Sequence, residues 1–189
     1  MPHRAQPIRS VGSPNWIRIG ASIALAIAVA VAVWLVLRDA RSGDKPPAAS
    51  STASAATVGT LRALPHEVGH DVYWAGARAS YTYELTEVDE TIVIRYLPLG
   101  IAVGDPRPDY LTISTSSAVR PYDLLRRERK QAGNASRRVP AGGIATWSAD
   151  RPERVNLAFR RSNVRIQIYD PSVERAQRLA TSGAVKPIH

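Results

Sequence analysis

His66-Glu67-Val68-Gly69-His70 is a literal H-E-x-x-H. On a helix, that spacing puts two imidazoles on one face to hold Zn²⁺, with the glutamate as general base for the metal's water. The surroundings argue against it. Pro65 abuts the first histidine, Gly69 and Asp71 weaken any continuation, and Val72-Tyr73-Trp74 is β-like. The remaining histidines are His3 and His189, so a third ligand would have to be a carboxylate such as Glu84 or Asp105. Asp105 and Asp109 offer oxygens for Ca²⁺, but an Asp/Pro loop more simply makes a turn. There is no cysteine, which excludes disulfides, thiolate metal sites and a thiol nucleophile. A nucleophile elbow, a P-loop and a dinucleotide fingerprint are also missing from the sequence. Asn134-Ala135-Ser136 is a glycosylation sequon that matters only in a glycosylating pathway.

The stronger chemical signal is charge. Formal net charge is +9, unevenly spread. Residues 57–119 carry four basic and eight acidic side chains, and residues 120–189 carry fifteen basic and six acidic. The basic excess is densest in RPYDLLRRERKQAGNASRR, residues 120–138. There Arg126, Arg127, Arg129, Lys130, Arg137 and Arg138 outnumber Asp123 and Glu128, while Leu124 and Leu125 provide an anchoring side. Such a face is either solvated or docks anionic lipid, polymer or an acidic protein, each membrane-proximal cation contributing about 1 kcal/mol. Nucleic acid is not an expected partner, because no aromatic-studded RNA motif accompanies the charge.

The elements that must position these residues begin with an apolar stretch. Residues 19–37 hold no charge and as a helix would reach roughly 28 Å, enough to cross a bilayer's hydrocarbon core. Arg18 and Arg38 close it, and Trp16 and Trp34 lie near its ends. Its length exceeds that of a cleavable signal core, and the nearest A-x-A, Ala53-Ser54-Ala55, is too distant, so it reads as an uncleaved signal-anchor. The organisation expected is a cytoplasmic tail (1–18), a transmembrane helix (19–37), a flexible Pro/Ala/Ser/Thr linker (38–57) and an extracytoplasmic domain (58–189).

Within that domain, alternation predicts strands over Val72–Trp74, Ser80–Leu85, Thr91–Leu97, Tyr110–Thr115, Ile144–Ser148, Val155–Arg160 and Val164–Tyr169. A short helix is expected over Thr60–Leu64, limited by Pro65. Another should run from Pro121 to about Gln131, and a third from Pro171 to Thr181 with Asp170 as its N-cap. Each half thus reads as about three strands followed by a helix, the grammar of a repeated β-β-β-α unit. The fold class expected is α+β: an antiparallel sheet of about six strands with two helices on one face. Tyr73, Trp74, Tyr81, Tyr83 and Tyr96 are expected in core and edge packing.

Gly69-His70-Asp71-Val72-Tyr73-Trp74-Ala75-Gly76, Tyr83-Glu84-Leu85-Thr86 and Arg95-Tyr96-Leu97-Pro98 resemble a group of uncharacterised single-span exported proteins of high-GC Gram-positive (actinobacterial) bacteria. The resemblance runs from about Thr60 to Ile188 and implies compartment and topology, not a mechanism. His66 and Glu67 lie outside its pattern. The functional expectation is a membrane-tethered, non-catalytic interaction module of the cell envelope, without cofactor, meeting an envelope protein or anionic polymer through its basic second half. The alternative is an extracytoplasmic zinc hydrolase using His66, Glu67 and His70.

Overall fold

Folding begins earlier than composition suggested. The computed structural model describes residues 52–189, and the last residues of the expected linker already belong to the domain. Ser54–Ala56 forms strand β1, and Thr57 caps helix α1 by accepting a hydrogen bond from the Thr60 amide at 3.1 Å. The tail, the expected span and most of the linker lie outside the described residues. Among the described residues no helix is long and apolar enough to cross a membrane.

The architecture is α+β. Eight antiparallel strands form the main sheet: β1, β3 (Tyr81–Val88), β4 (Thr91–Pro98), β5 (Thr112–Ser117), β9 (Val164–Tyr169), β8 (Arg154–Phe159), β7 (Gly143–Ser148) and β6 (Asn134–Val139), in that spatial order. A two-stranded ribbon pairs β2 (Tyr73–Trp74) with β10 (Lys186–Pro187). Helices are α1 (Val58–Val68), α2 (Pro121–Glu128) and α3 (Val173–Thr181). Each half ends its run of strands with a helix, and the final strands of the halves, β5 and β9, pair at the centre of the sheet.

Side-chain alternation gives the sheet two faces. Ile92, Ile94, Ile113, Leu157, Ile166 and Ile168 point to one, where Leu61 and Leu64 of α1 and Ala176 and Ala180 of α3 complete the principal core. Pro65 lies inside α1 rather than ending it. An interior proline costs a helix about 3 kcal/mol. The last turn is held by Val68, partly buried against the principal core, and by the Gly69 amide donating to the Pro65 carbonyl at 3.1 Å, so the helix continues to Val68. In α3 the cap is Ser172, whose hydroxyl accepts from the Arg175 amide. Asp170, expected there, is instead buried, accepting from the Ser172 amide at 2.8 Å and from the Arg175 guanidinium.

The second face corrects the expectation that the helices beginning near Pro121 and Pro171 share one side; α1 takes that place beside α3. Leu125 of α2 packs on Ile144 and Ala158, which alternate away from Ala145 and Leu157. Thus α2 covers the face opposite α1 and α3, over the second half only. In the first half that opposite face is roofed by the loop after β4. Arg95 donates to Glu84 Oε1 at 2.6 Å and to the carbonyls of Asp105 and Arg107, both at 2.9 Å. Glu84 Oε2 accepts from the Gly104 amide. The Tyr110 ring lies beneath the guanidinium groups of Arg95 and Arg107, at 5.1 and 5.6 Å. Glu84, on the face opposite Tyr83 and Leu85, is therefore almost wholly buried.

Strand β6 was not legible from pattern. Residues 134–139, NASRRV, show no apolar alternation, and the strand is an edge whose cations discourage pairing with another chain. Its neighbour Gly143 cannot carry a side chain: a Cβ there would meet Val139 Cγ2 at 2.5 Å and Phe159 Cδ1 at 2.8 Å.

Candidate functional site: a basic cleft beside helix α2

Arg120 takes a left-handed conformation (φ 50°, ψ 53°) that turns the chain sharply from β5 into α2. Just before it, the Ala118 amide donates to the Asn163 carbonyl at 2.7 Å, tying this turn to the one between β8 and β9. Pro121 then begins the helix with φ preset and no amide hydrogen to satisfy. Asp123 lies in the first turn and Arg126 and Arg127 in the last, each matching the helix dipole. The far end is fastened by the Asn134 side-chain amide on the Glu128 carbonyl (2.8 Å) and by Arg165 on the Glu128 carboxylate (3.4 Å).

Between α2, β6 and the β8–β9 turn lies a cleft of about 440 Å³. Arg120, Arg126, Arg129, Arg138 and Arg160 line it, with Asp123 the one carboxylate among the lining residues. All five arginines are exposed. Among the described residues none of the five forms an ion pair. Glu128, on the same helix, pairs with Arg165. Arg160 donates to the Tyr122 hydroxyl at 3.2 Å and lies 5.3 Å above that ring. Like charges gathered in a concavity raise the local potential and the local concentration of anions. Guanidinium forks add bidentate geometry for phosphate and carboxylate.

Of the residues expected from sequence, Arg126, Arg129 and Arg138 meet in this cleft. Arg126, Arg127 and Lys130 border the neighbouring depression. Arg137 does not join them: it pairs opposite Ala145, whose side chain faces the α1/α3 side, whereas Arg138 pairs opposite Ile144 on the α2 side. Arg160 was missed because it sits in a hairpin turn, where a cation is an ordinary solvated residue. Only the pairing of β7 with both β6 and β8 brings it near Arg138.

The H-E-x-x-H stretch is placed differently from a zinc helix. His66 and Glu67 occupy the last turn of α1, Gly69 caps it in a left-handed conformation (φ 72°), and His70 lies beyond. The His70 Nδ1 is 2.9 Å from the Asp71 carbonyl. The two imidazoles thus do not stack on one helical face, and among the described residues no three His, Asp or Glu groups are gathered to hold a metal. Glu67 and His70 instead border an acidic concavity with Glu87, Asp89 and Glu90. Asp105 is committed to Arg107, which donates to both its oxygens at 2.8–3.2 Å.

The aromatic group is mostly core. Tyr73, Trp74, Tyr83 and Tyr96 are buried, with Tyr81 at the surface. Tyr83 and Tyr96 meet edge to face at 5.2 Å, and the Tyr96 hydroxyl accepts from the Ala75 amide at 2.7 Å. Burial pushes that hydroxyl well above its usual pKa.

No protein-family model matches the chain, and no curated protein or solved structure matches it.

Proposed function

We propose that the protein is a membrane-tethered, non-catalytic binding module of the cell envelope whose basic cleft receives an anionic partner. The carrying observation is that five arginines from four separate parts of the chain line one cleft without a paired carboxylate. Cations that only solvate a surface need not converge, and convergence without partners costs folding stability through mutual repulsion. The tether and the extracytoplasmic address rest on the uncharged residues 19–37 and on the resemblance to single-span exported proteins.

Tripolyphosphate binding by the full chain in a zwitterionic detergent, read by calorimetry at low and physiological salt, tests this reading. Arg126→Glu with Arg138→Glu is expected to abolish it. The charge-matched pair Arg62→Glu with Arg151→Glu, both exposed and outside the cleft, is expected to retain it. Equal loss in both pairs would reduce the cleft to bulk charge, and no binding by the parent chain would overturn the reading. A reporter fused after His189 and active only in the cytosol would overturn the address.

A further inference from the structure

We infer that the ligand of the cleft is a linear polyanion, a base-free phosphate or phosphodiester polymer charged in every repeat, lying along α2. This inference rests on the anion-binding reading above and narrows it.

A second depression of about 390 Å³ adjoins the first, and the two share Arg120, Asp123 and Arg126. Beyond the shared residues the second adds Arg127 and Lys130, the first Arg129, Arg138 and Arg160. The result is a basic track in two segments, joined across the turn that opens the helix. A compact anion in either segment would leave the cations of the other unneutralised. A chain crossing the Arg120–Arg126 junction reaches both, and its second segment binds with the effective concentration of an attached ligand.

The shape also selects. Two adjoining hollows admit a strand, whereas a flat bilayer surface would meet cations on a projecting face. Nucleic acid is the less suited polymer, because sequence-tolerant single-strand binding uses aromatic platforms for the bases. Tyr122 is the one aromatic residue along the track, and its ring is already engaged by Arg160.

The experiment is a length series with the full chain in zwitterionic detergent: pyrophosphate, tripolyphosphate and a polyphosphate of about ten units, each titrated over a range of salt. Going from pyrophosphate to the ten-unit chain, affinity is expected to rise by about tenfold or more, with a steeper decline in log K against log salt as more counterions are released. Arg127→Gln with Lys130→Gln, exposed positions in the second segment only, should remove most of the gain from length, weakening the ten-unit chain by a larger factor than pyrophosphate; an equal loss at every length would overturn the inference. Equal affinity and salt slope for all lengths would overturn the inference while leaving the anion-binding reading intact. No binding at any length would overturn both. Tighter binding to phosphatidylglycerol vesicles, or to an oligothymidylate, at equal phosphate concentration would also overturn it, in favour of a bilayer or a base-bearing strand.

Discussion

Around Tyr110 every cation has an acceptor, whereas around Pro121 scarcely any has. Arg95 binds Glu84 and two carbonyls, and Arg107 binds both oxygens of Asp105. Both guanidinium groups also face an aromatic ring. Arg126, Arg129 and Arg138 have neither acid nor ring among the described residues. Both regions cover the same face of the sheet at opposite ends. The first closes a loop over the strands and is saturated from within. The second leaves its donors free, so its cations can be satisfied only from outside. Residue type does not separate a structural arginine from a binding one here; the availability of an internal acceptor does.

That contrast can be broken from the saturated side first. Glu84→Ala leaves Arg95, whose side chain is 18 % exposed, without its carboxylate. Removing one partner of a buried pair strands the other charge, so a loss of about 3 kcal/mol is expected in urea denaturation of the full chain. A loss near zero would show that the knot around Tyr110 is surface-like.

From the other side, Arg120→Gly should stabilise the fold. Glycine relieves roughly 1–2 kcal/mol of left-handed strain and restores roughly 0.5–1 kcal/mol of unfolded-state entropy, leaving a gain of about 0.5–1 kcal/mol. The same variant should bind tripolyphosphate more weakly. Greater stability with weaker binding is the signature expected of a residue kept for its ligand, and a destabilised variant would contradict it.

The smallest effect concerns pH. Arg107 holds the Asp105 carboxyl down from 3.8 to about 2. A depressed carboxyl contributes stability that is present above its unfolded pKa and is lost as pH falls through the folded value. The parent chain should therefore lose stability between about pH 4 and pH 2 more steeply than Asp105→Asn. Parallel pH profiles would show that the Asp105–Arg107 contact adds nothing to folding.

Local rules reached far into this chain. Alternation located Val164–Tyr169 and the β3–β4 hairpin, and Pro121 marked the start of α2, because period and turn chemistry are written within a few residues. The same rules ended α1 too early at Pro65 and placed the α3 cap at Asp170. Packing of Val68 against the sheet core is a long-range outcome that a local reading does not contain, and Asp170 is lost as a cap because Arg175, five residues on, takes its carboxylate, a side-chain pairing that capping preference does not weigh.

The basic composition of residues 120–138, the lack of thiols and the approximate positions of most strands were determined by the sequence itself, since each depends only on residue type and near neighbours. Which face α2 covers, which arginines converge and which are neutralised were decided by tertiary structure. Leu125 had to find Ile144 and Ala158, and Arg165 had to take Glu128, before Arg138 and Arg160 could border one cleft with the helix. Charge is a property of residues, but an unpaired charge is a property of the fold, because only packing determines how far away the nearest acid lies.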